Sequence, residues 1–256
     1  MNPQIRRFEE LTVNAFPALQ TELFDGWVLR FSDGFSYRAN CICPLYPSEI
    51  NLENKIRLCE QKYAAKGLPA VFKMTENTRD LDGILEQRGF SIAKSVDLMS
   101  AAIPPDSDAH CLNGVEVSEK IDEEWLNAAV CFSDIHHKAM QNIQKRILRK
   151  IAGRTVCVKV RQDKRVVGCG LGVLDGGSIG LYDIRVDENH RRLGFGTRIC
   201  RTILQAGKAA NGMEAYLQVS CENHKAISLY QKLGFHVLYH YWFRVKRTDN
   251  CMDIID

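Results

Sequence analysis

The stretch Arg191-Arg192-Leu193-Gly194-Phe195-Gly196 decides how this 256-residue chain is read. It follows a strand-like run ending at Val186 and precedes a helical run that carries Ile199, Ile203 and Leu204 on one face. A strand, a glycine-containing turn and a helix N-terminus aim several unpaired backbone N–H groups, and the positive end of the helix dipole, at one point. Such a point suits a pyrophosphate. Gly194 and Gly196 lack Cβ atoms, so the backbone can approach closely, and Arg191 and Arg192 add positive charge. Taken alone, the six residues also fit an ordinary strand-turn-helix connection whose glycines serve only geometry.

They do not stand alone. After a short strand comes Asn223-His224-Lys225-Ala226-Ile227-Ser228-Leu229-Tyr230-Gln231-Lys232-Leu233-Gly234-Phe235. R-x-x-G-x-G followed by N-x-x-A-x-x-L-Y-x-x-x-G-F resembles the GNAT superfamily of acyl-CoA-dependent N-acetyltransferases, with both motifs in the family's order. The matching region spans roughly Val115 to Arg247. The resemblance implies an α/β (α+β) fold with a mixed, mostly antiparallel central sheet flanked by helices. It implies acetyl-CoA as acyl donor and no metal.

Residue by residue, it implies that the backbone amides of Arg192, Leu193, Gly194, Phe195, Gly196 and Thr197 hold the coenzyme's pyrophosphate. Ile184 and Val186 match strand positions whose backbone pairs with the pantetheine arm. Asn223 matches a position beside that arm, where a carboxamide both donates and accepts. Tyr230 matches the phenol near the thioester sulfur, and the family's amine attacks the acetyl carbonyl directly. A phenol of ordinary pKa about 10 stays protonated at pH 7, above a thiol at about 8.5, so Tyr230 can protonate the departing thiolate. The alternative for Tyr230 is a helix residue packed on the sheet.

No general base stands out. Asp183 and Glu222 are the carboxylates nearest the motifs in sequence, and each also reads as a solvated or structural group. His190, His224 and His236 flank the motifs as lone loop histidines. Cys221 lacks a His/Asn partner pattern and reads as a structural thiol.

Composition bounds the rest. Apolar residues at 45% and charged residues at 25% exclude a chain disordered throughout. Basic residues number 34 against 31 acidic, a net of +3, too little to make nucleic acid the default partner. The ten cysteines are scattered and read as reduced thiols, with Cys41 and Cys43 lacking a second pair at zinc-like spacing. No signal-peptide h-region or membrane-length apolar run is visible, so a cytoplasmic protein is expected. The expected partner is a small-molecule or peptide amine. A coenzyme A-binding regulatory or scaffolding module with no amine acceptor is the alternative.

Patterning places a helix from Gln4 to about Leu19, a strand at Gly26–Phe31, and a hairpin turn at Asp33-Gly34 leading into a strand at Phe35–Cys43. A helix over 48–65, a strand over 69–74, a helix over 78–88 and a strand over 90–99 follow. Residues 104–114, with Pro104-Pro105, read as a linker between an N-terminal α/β domain (1–103) and a catalytic domain (115–247), with a tail at 248–256. Within the second domain the pattern continues as strand, two helices, three strands, helix, strand, helix, strand. Leu85-Glu86-Gln87-Arg88-Gly89-Phe90 echoes Tyr230-Gln231-Lys232-Leu233-Gly234-Phe235, each a helix passing through glycine into a strand. The echo points to a degenerate first copy of the same fold, as in tandem-domain members whose second copy is active. A coincidental helix cap is the other explanation.

Overall fold

The computed structural model describes residues 2–103, 114–246 and 254. The expected linker, apart from Gly114, and the expected tail, apart from Ile254, lie outside the described residues. The chain opens with α1 (Pro3–Ala15), whose Asn2 side chain accepts the Gln4 N–H as an N-cap. There follow β1 (Gln20–Phe24), β2 (Trp27–Phe31), β3 (Ile42–Pro44), α2 (Leu52–Ala64), β4 (Val71–Thr75), α3 (Arg79–Gln87) and β5 (Ser91–Ala102). Then come β6 (Val115–Ser118), α4 (Glu123–Cys131), α5 (Lys138–Arg149), β7 (Arg154–Gln162), β8 (Arg165–Asp175) and β9 (Ser178–Val186). The chain closes with α6 (Phe195–Ala209), β10 (Glu214–Ser220), α7 (His224–Lys232) and β11 (His236–Val245).

The first hairpin differs from the sequence expectation. It closes at Asp25-Gly26, where both residues have positive φ (45° and 80°), and pairs β1 with β2 from Phe24↔Trp27 to Gln20↔Phe31. Asp33-Gly34 also turns with positive φ, but the chain beyond it is drawn into a loop by buried Asn40. The Asn40 carboxamide accepts from the Ser32 and Gly34 N–H groups and donates to the Phe35 and Ser36 carbonyls. Those bonds satisfy backbone that would otherwise need a ladder, and only Ile42–Pro44 returns to pair with β2.

The described chain forms two compact units. The first takes residues up to Val96, together with His137–Lys150 and the chain from His240 on. Its strands lie in the order β1-β2-β3-β4-β11-β5, the last two entering with 240–245 and 91–96. From β1 to β11 the neighbours are antiparallel except β3 and β4, which run parallel at Ile42↔Phe72. Trp27, Leu29, Phe31, Ile56, Tyr63, Phe72, Leu85 and Phe90 fill its core. The second unit takes Asp97–His136 and Ile151–Tyr239. Its order is β5-β10-β9-β8-β7-β6, β5 entering with 97–102, with β6 to β9 antiparallel in succession and β9 parallel to β10. Apolar residues of β7 to β10 and of α6 make its core.

Each unit contains strand, loop, helix, parallel strand and helix in the same order: β3-α2-β4-α3 in the first, β9-α6-β10-α7 in the second. The helix ends match in detail. Gly89 (φ 82°) and Gly234 (φ 88°) follow α3 and α7, and the Phe90 and Phe235 N–H groups bond the Leu85 and Tyr230 carbonyls, each at 3.0 Å. Both phenylalanines are buried. The sequence echo of 85–90 and 230–235 thus marks the same helix-end geometry in two stretches of the same element order.

Candidate active site

Helix α6 lies close against the second unit's sheet because β8 meets it with three glycines. Gly168, Gly170 and Gly172 alternate along β8, and a Cβ at Gly170 would stand 2.2 Å from Ile199 Cγ2, one at Gly172 2.8 Å from Ile203 Cγ2. The strand is a bed of bare backbone for Ile199 and Ile203. That bed sets where the N-terminus of α6 emerges.

The strand feeding this N-terminus is irregular. On β9 both Asp183 and Ile184 fall opposite Gly170, since Leu171 pairs with Tyr182 and Cys169 with Arg185. This is a β-bulge, and Asp183 takes a positive φ of 46° within it. The Trp125 indole of α4 donates to the Gly170 carbonyl at 3.1 Å, opposite the bulge. On the other edge of β9 the parallel ladder to β10 runs from Ser178↔Glu214 to Leu181↔Leu217 and stops. Beyond it, Tyr182–Val186 of β9 and Gln218–Ser220 of β10 remain extended with no pairing to each other. A parallel seam is thus open at the carboxyl ends of its strands.

The Arg191–Gly196 loop sits beyond β9. Arg192 (φ 65°) and Gly194 (φ 82°) turn it, Gly194 is the N-cap of α6, and no side chain caps the helix. None of the backbone N–H groups from Arg192 to Thr197 donates to an acceptor among the described residues. No acidic side chain stands in the first turn of α6. Consecutive unsatisfied donors at the positive end of a 15-residue helix form an anion cradle.

Tyr230 completes the group. It projects from α7 into the same core as Phe195, Ile199 and Cys200, with its ring edge-on to Phe235 at 6.0 Å. A Cβ at Gly196 would lie 3.7 Å from Leu229 Cδ1, so α7 rests against the first turn of α6. The Tyr230 hydroxyl makes no hydrogen bond with the described residues. Burial pushes its pKa well above the ordinary phenol value, and the neighbouring Cys200 thiol adds to the rise. The phenol is therefore a neutral donor across the physiological range.

A family model described as the C-terminal region of the probable histone acetyltransferase Rv0428c matches residues 2–244. The chain belongs to this family. It is 27% identical over 252 residues to the uncharacterized N-acetyltransferase YobR of Bacillus subtilis, covering 95% of this chain and 99% of that protein. A GCN5-related N-acetyltransferase from Kribbella flavida superposes with a TM-score of 0.68 at 14% identity, over 95% of each chain. A tandem GNAT protein from the clavulanic acid biosynthesis pathway gives 0.60 at 11% identity, over 94% of this chain and 88% of that one. The fold is that of the GNAT superfamily, and acyl transfer is the general activity that membership of the family carries.

The remaining expected site residues of this family member fall as follows. Ile184 and Val186 are half-buried on the unpaired stretch of β9. The Val186 carbonyl already accepts from Arg191 Nε at 3.3 Å, and Arg191 also faces Glu188 at 3.6 Å, so its guanidinium turns back toward the strand end. Arg192 and Leu193 are exposed, Leu193 to 60%. Asn223 caps α7, its Oδ1 accepting the Ala226 N–H at 3.1 Å, and its amide nitrogen is left over for another partner. Cys221 donates to Asp97 Oδ1 at 3.1 Å, and burial with that carboxylate pushes its thiol up to about 11, the opposite of an activated nucleophile. Asp183 is tied to the Arg185 guanidinium at 3.1 Å, and Glu222 is exposed. His190 holds Asp187 at 2.8 Å, while His224 and His236 are exposed. Among the described residues every cysteine is a free thiol, and no helix is long and apolar enough to cross a membrane.

Sequence reading missed the bulge, the glycine bed and the Trp125 bond. The alternation Gly168-Cys169-Gly170-Leu171-Gly172 was a usable signal for the bed, because glycine at every second strand position marks a close approach. The bulge had no comparable mark.

Proposed function

We propose that the chain is an N-acyltransferase that moves an acetyl group from acetyl-CoA to an amine by direct attack, with Tyr230 as general acid. The observation that carries this reading is the row of unbonded N–H groups from Arg192 to Thr197 at the head of α6, beside an open parallel seam. The cradle fits a pyrophosphate, and Arg192 supplies positive charge at its rim. The unpaired edge of β9 near Ile184 and Val186 suits a pantetheine arm lying along it as an added strand. Asn223 has an amide donor to offer the same arm.

In this reading the neutral amine attacks the bound thioester carbonyl to form the C–N bond, the nitrogen of the tetrahedral intermediate gives its proton to water, and the C–S bond breaks as the Tyr230 hydroxyl protonates the departing thiolate and is then reprotonated from solvent. The acceptor is a small-molecule or peptide amine. The test is calorimetry with acetyl-CoA joined to a screen of amines that measures release of free thiol. Binding together with amine-dependent thiol release is expected. Binding without turnover by any amine would favour a coenzyme-binding module instead.

A further inference from the structure

The shared element order gives the first unit a counterpart of the phosphate cradle, the loop 45–51 between β3 and α2. That loop is not open. The carboxylate of Asp25, from the β1–β2 turn, accepts the Glu49 N–H at 3.0 Å, the Ile50 N–H at 3.0 Å and the Ser48 hydroxyl at 2.6 Å. The Lys55 ammonium, fully buried on α2, closes on the same carboxylate at 2.9 Å and on Ser48 Oγ at 2.8 Å. Trp27 covers that ammonium from 4.0 Å.

The turn is built to deliver this group. Asp25 has the positive φ of 45° that the two-residue hairpin requires. A Cβ on Gly26 would lie 2.2 Å from the Pro47 carbonyl oxygen, and the Tyr46 N–H bonds the Gly26 carbonyl at 3.0 Å, so the turn is clamped to the loop. Two backbone amides, a hydroxyl and an ammonium converging on one anion are the donor set of a small oxyanion site.

We propose that Asp25 is the resident anion of an oxyanion-binding loop in the first unit, seated where the second unit's corresponding loop is open. The parallel with the second loop rests on the coenzyme reading; the site itself stands on the first unit's own donors. Its native ligand is the chain's carboxylate, and vacated it takes a free carboxylate or a similarly small oxyanion. The carboxyl's pKa, held well below the ordinary range by Ser48, Lys55 and the two amides, agrees with this placement.

The experiment is thermal melting of the full chain at pH 7 and constant ionic strength, with chloride progressively replaced by formate. Asp25→Gly keeps the turn's positive φ and empties the site. It is expected to melt several degrees below the wild type and to regain at least half of that loss in formate, while wild type and Asp25→Asn gain much less. Equal formate responses in all three, or an Asp25→Gly melt at the wild-type temperature, would overturn the proposal. If Asp25→Gly is recovered unfolded, Asp25→Asn carries the test, since it keeps the shape and loses the charge facing Lys55. It should melt below the wild type, and equality would refute the site. No arm contains acetyl-CoA, so failure of the coenzyme reading leaves these outcomes readable.

Discussion

At the scale of single residues the site depends on what Tyr230 is denied. Its hydroxyl has no hydrogen-bond partner among the described residues and its ring is buried, which in the proposed mechanism leaves the proton available to the departing thiolate. Tyr230→Phe should lower kcat by roughly 10²-fold, the lower range for general acids because a thiolate leaves readily, with little change in coenzyme affinity. Stopped assays of thiol release and calorimetry measure the two effects. The sign of the pH dependence follows from the raised pKa. A raised phenol stays protonated to higher pH, so kcat should show no alkaline fall attributable to Tyr230 below about pH 10, the ordinary phenol value. A fall near pH 8 to 9 that disappears in Tyr230→Phe would remove the assignment. The motif made this residue readable, because N-x-x-A-x-x-L-Y places Asn223 as helix cap and Tyr230 two turns later on the inward face. The absence of a partner for its hydroxyl is a fact of packing and had no sequence mark.

At the scale of elements the proposed phosphate loop depends on how closely α6 is seated on β8. Gly170→Ala would set a methyl 2.2 Å from Ile199 Cγ2, and the helix or the strand must yield. Overpacking of this kind costs about 1–3 kcal/mol, readable by denaturant unfolding, and the shifted α6 should raise the KM for acetyl-CoA as well. Gly194→Ala separates the two effects. At φ 82° it has open space around its Cβ position, so the substitution strains the loop without a clash. That strain of about 1–2 kcal/mol predicts roughly tenfold weaker coenzyme binding, with a melting temperature nearer the wild type than that of Gly170→Ala. Helices and strands were legible element by element because their apolar periods are local. The hairpin expected at Asp33-Gly34 stands at Asp25-Gly26 instead: both pairs carry the same turn chemistry, and the hydrogen bonds of buried Asn40 hold the second in a loop.

At the scale of the whole molecule, one order of strand, helix, parallel strand and helix occurs in both units, and the loop after its first strand is treated in opposite ways. In the second unit the amides before and at the start of α6 are unbonded; in the first, Asp25 and Lys55 fill the corresponding place. Calorimetric titration should accordingly find one acetyl-CoA per chain, and a stoichiometry of two would contradict both assignments. Depressed carboxyls also set the acid limit. Asp25 and Asp82 in the first unit and Glu116, Glu124 and Asp187 in the second are all lowered by hydrogen bonds from Ser, Lys, Arg or His partners. Their contribution is present above the unfolded value of about 4 and is lost as pH falls through the folded values. Melting temperature should therefore be flat between about pH 5 and 8 and fall below about pH 4, as thermal melts across that range would show. The superfamily was legible in the sequence, as were the positions of the second unit's loop, its tyrosine and the echo at 85–90 and 230–235, because these rest on spacing along one helix or one turn. The open seam, the bulge at Asp183, the assignment of α5 and the second half of β11 to the first unit and the carboxylate in its loop were decided by tertiary structure. Each depends on which backbone groups remain unpaired after distant segments meet, and that remainder has no local pattern.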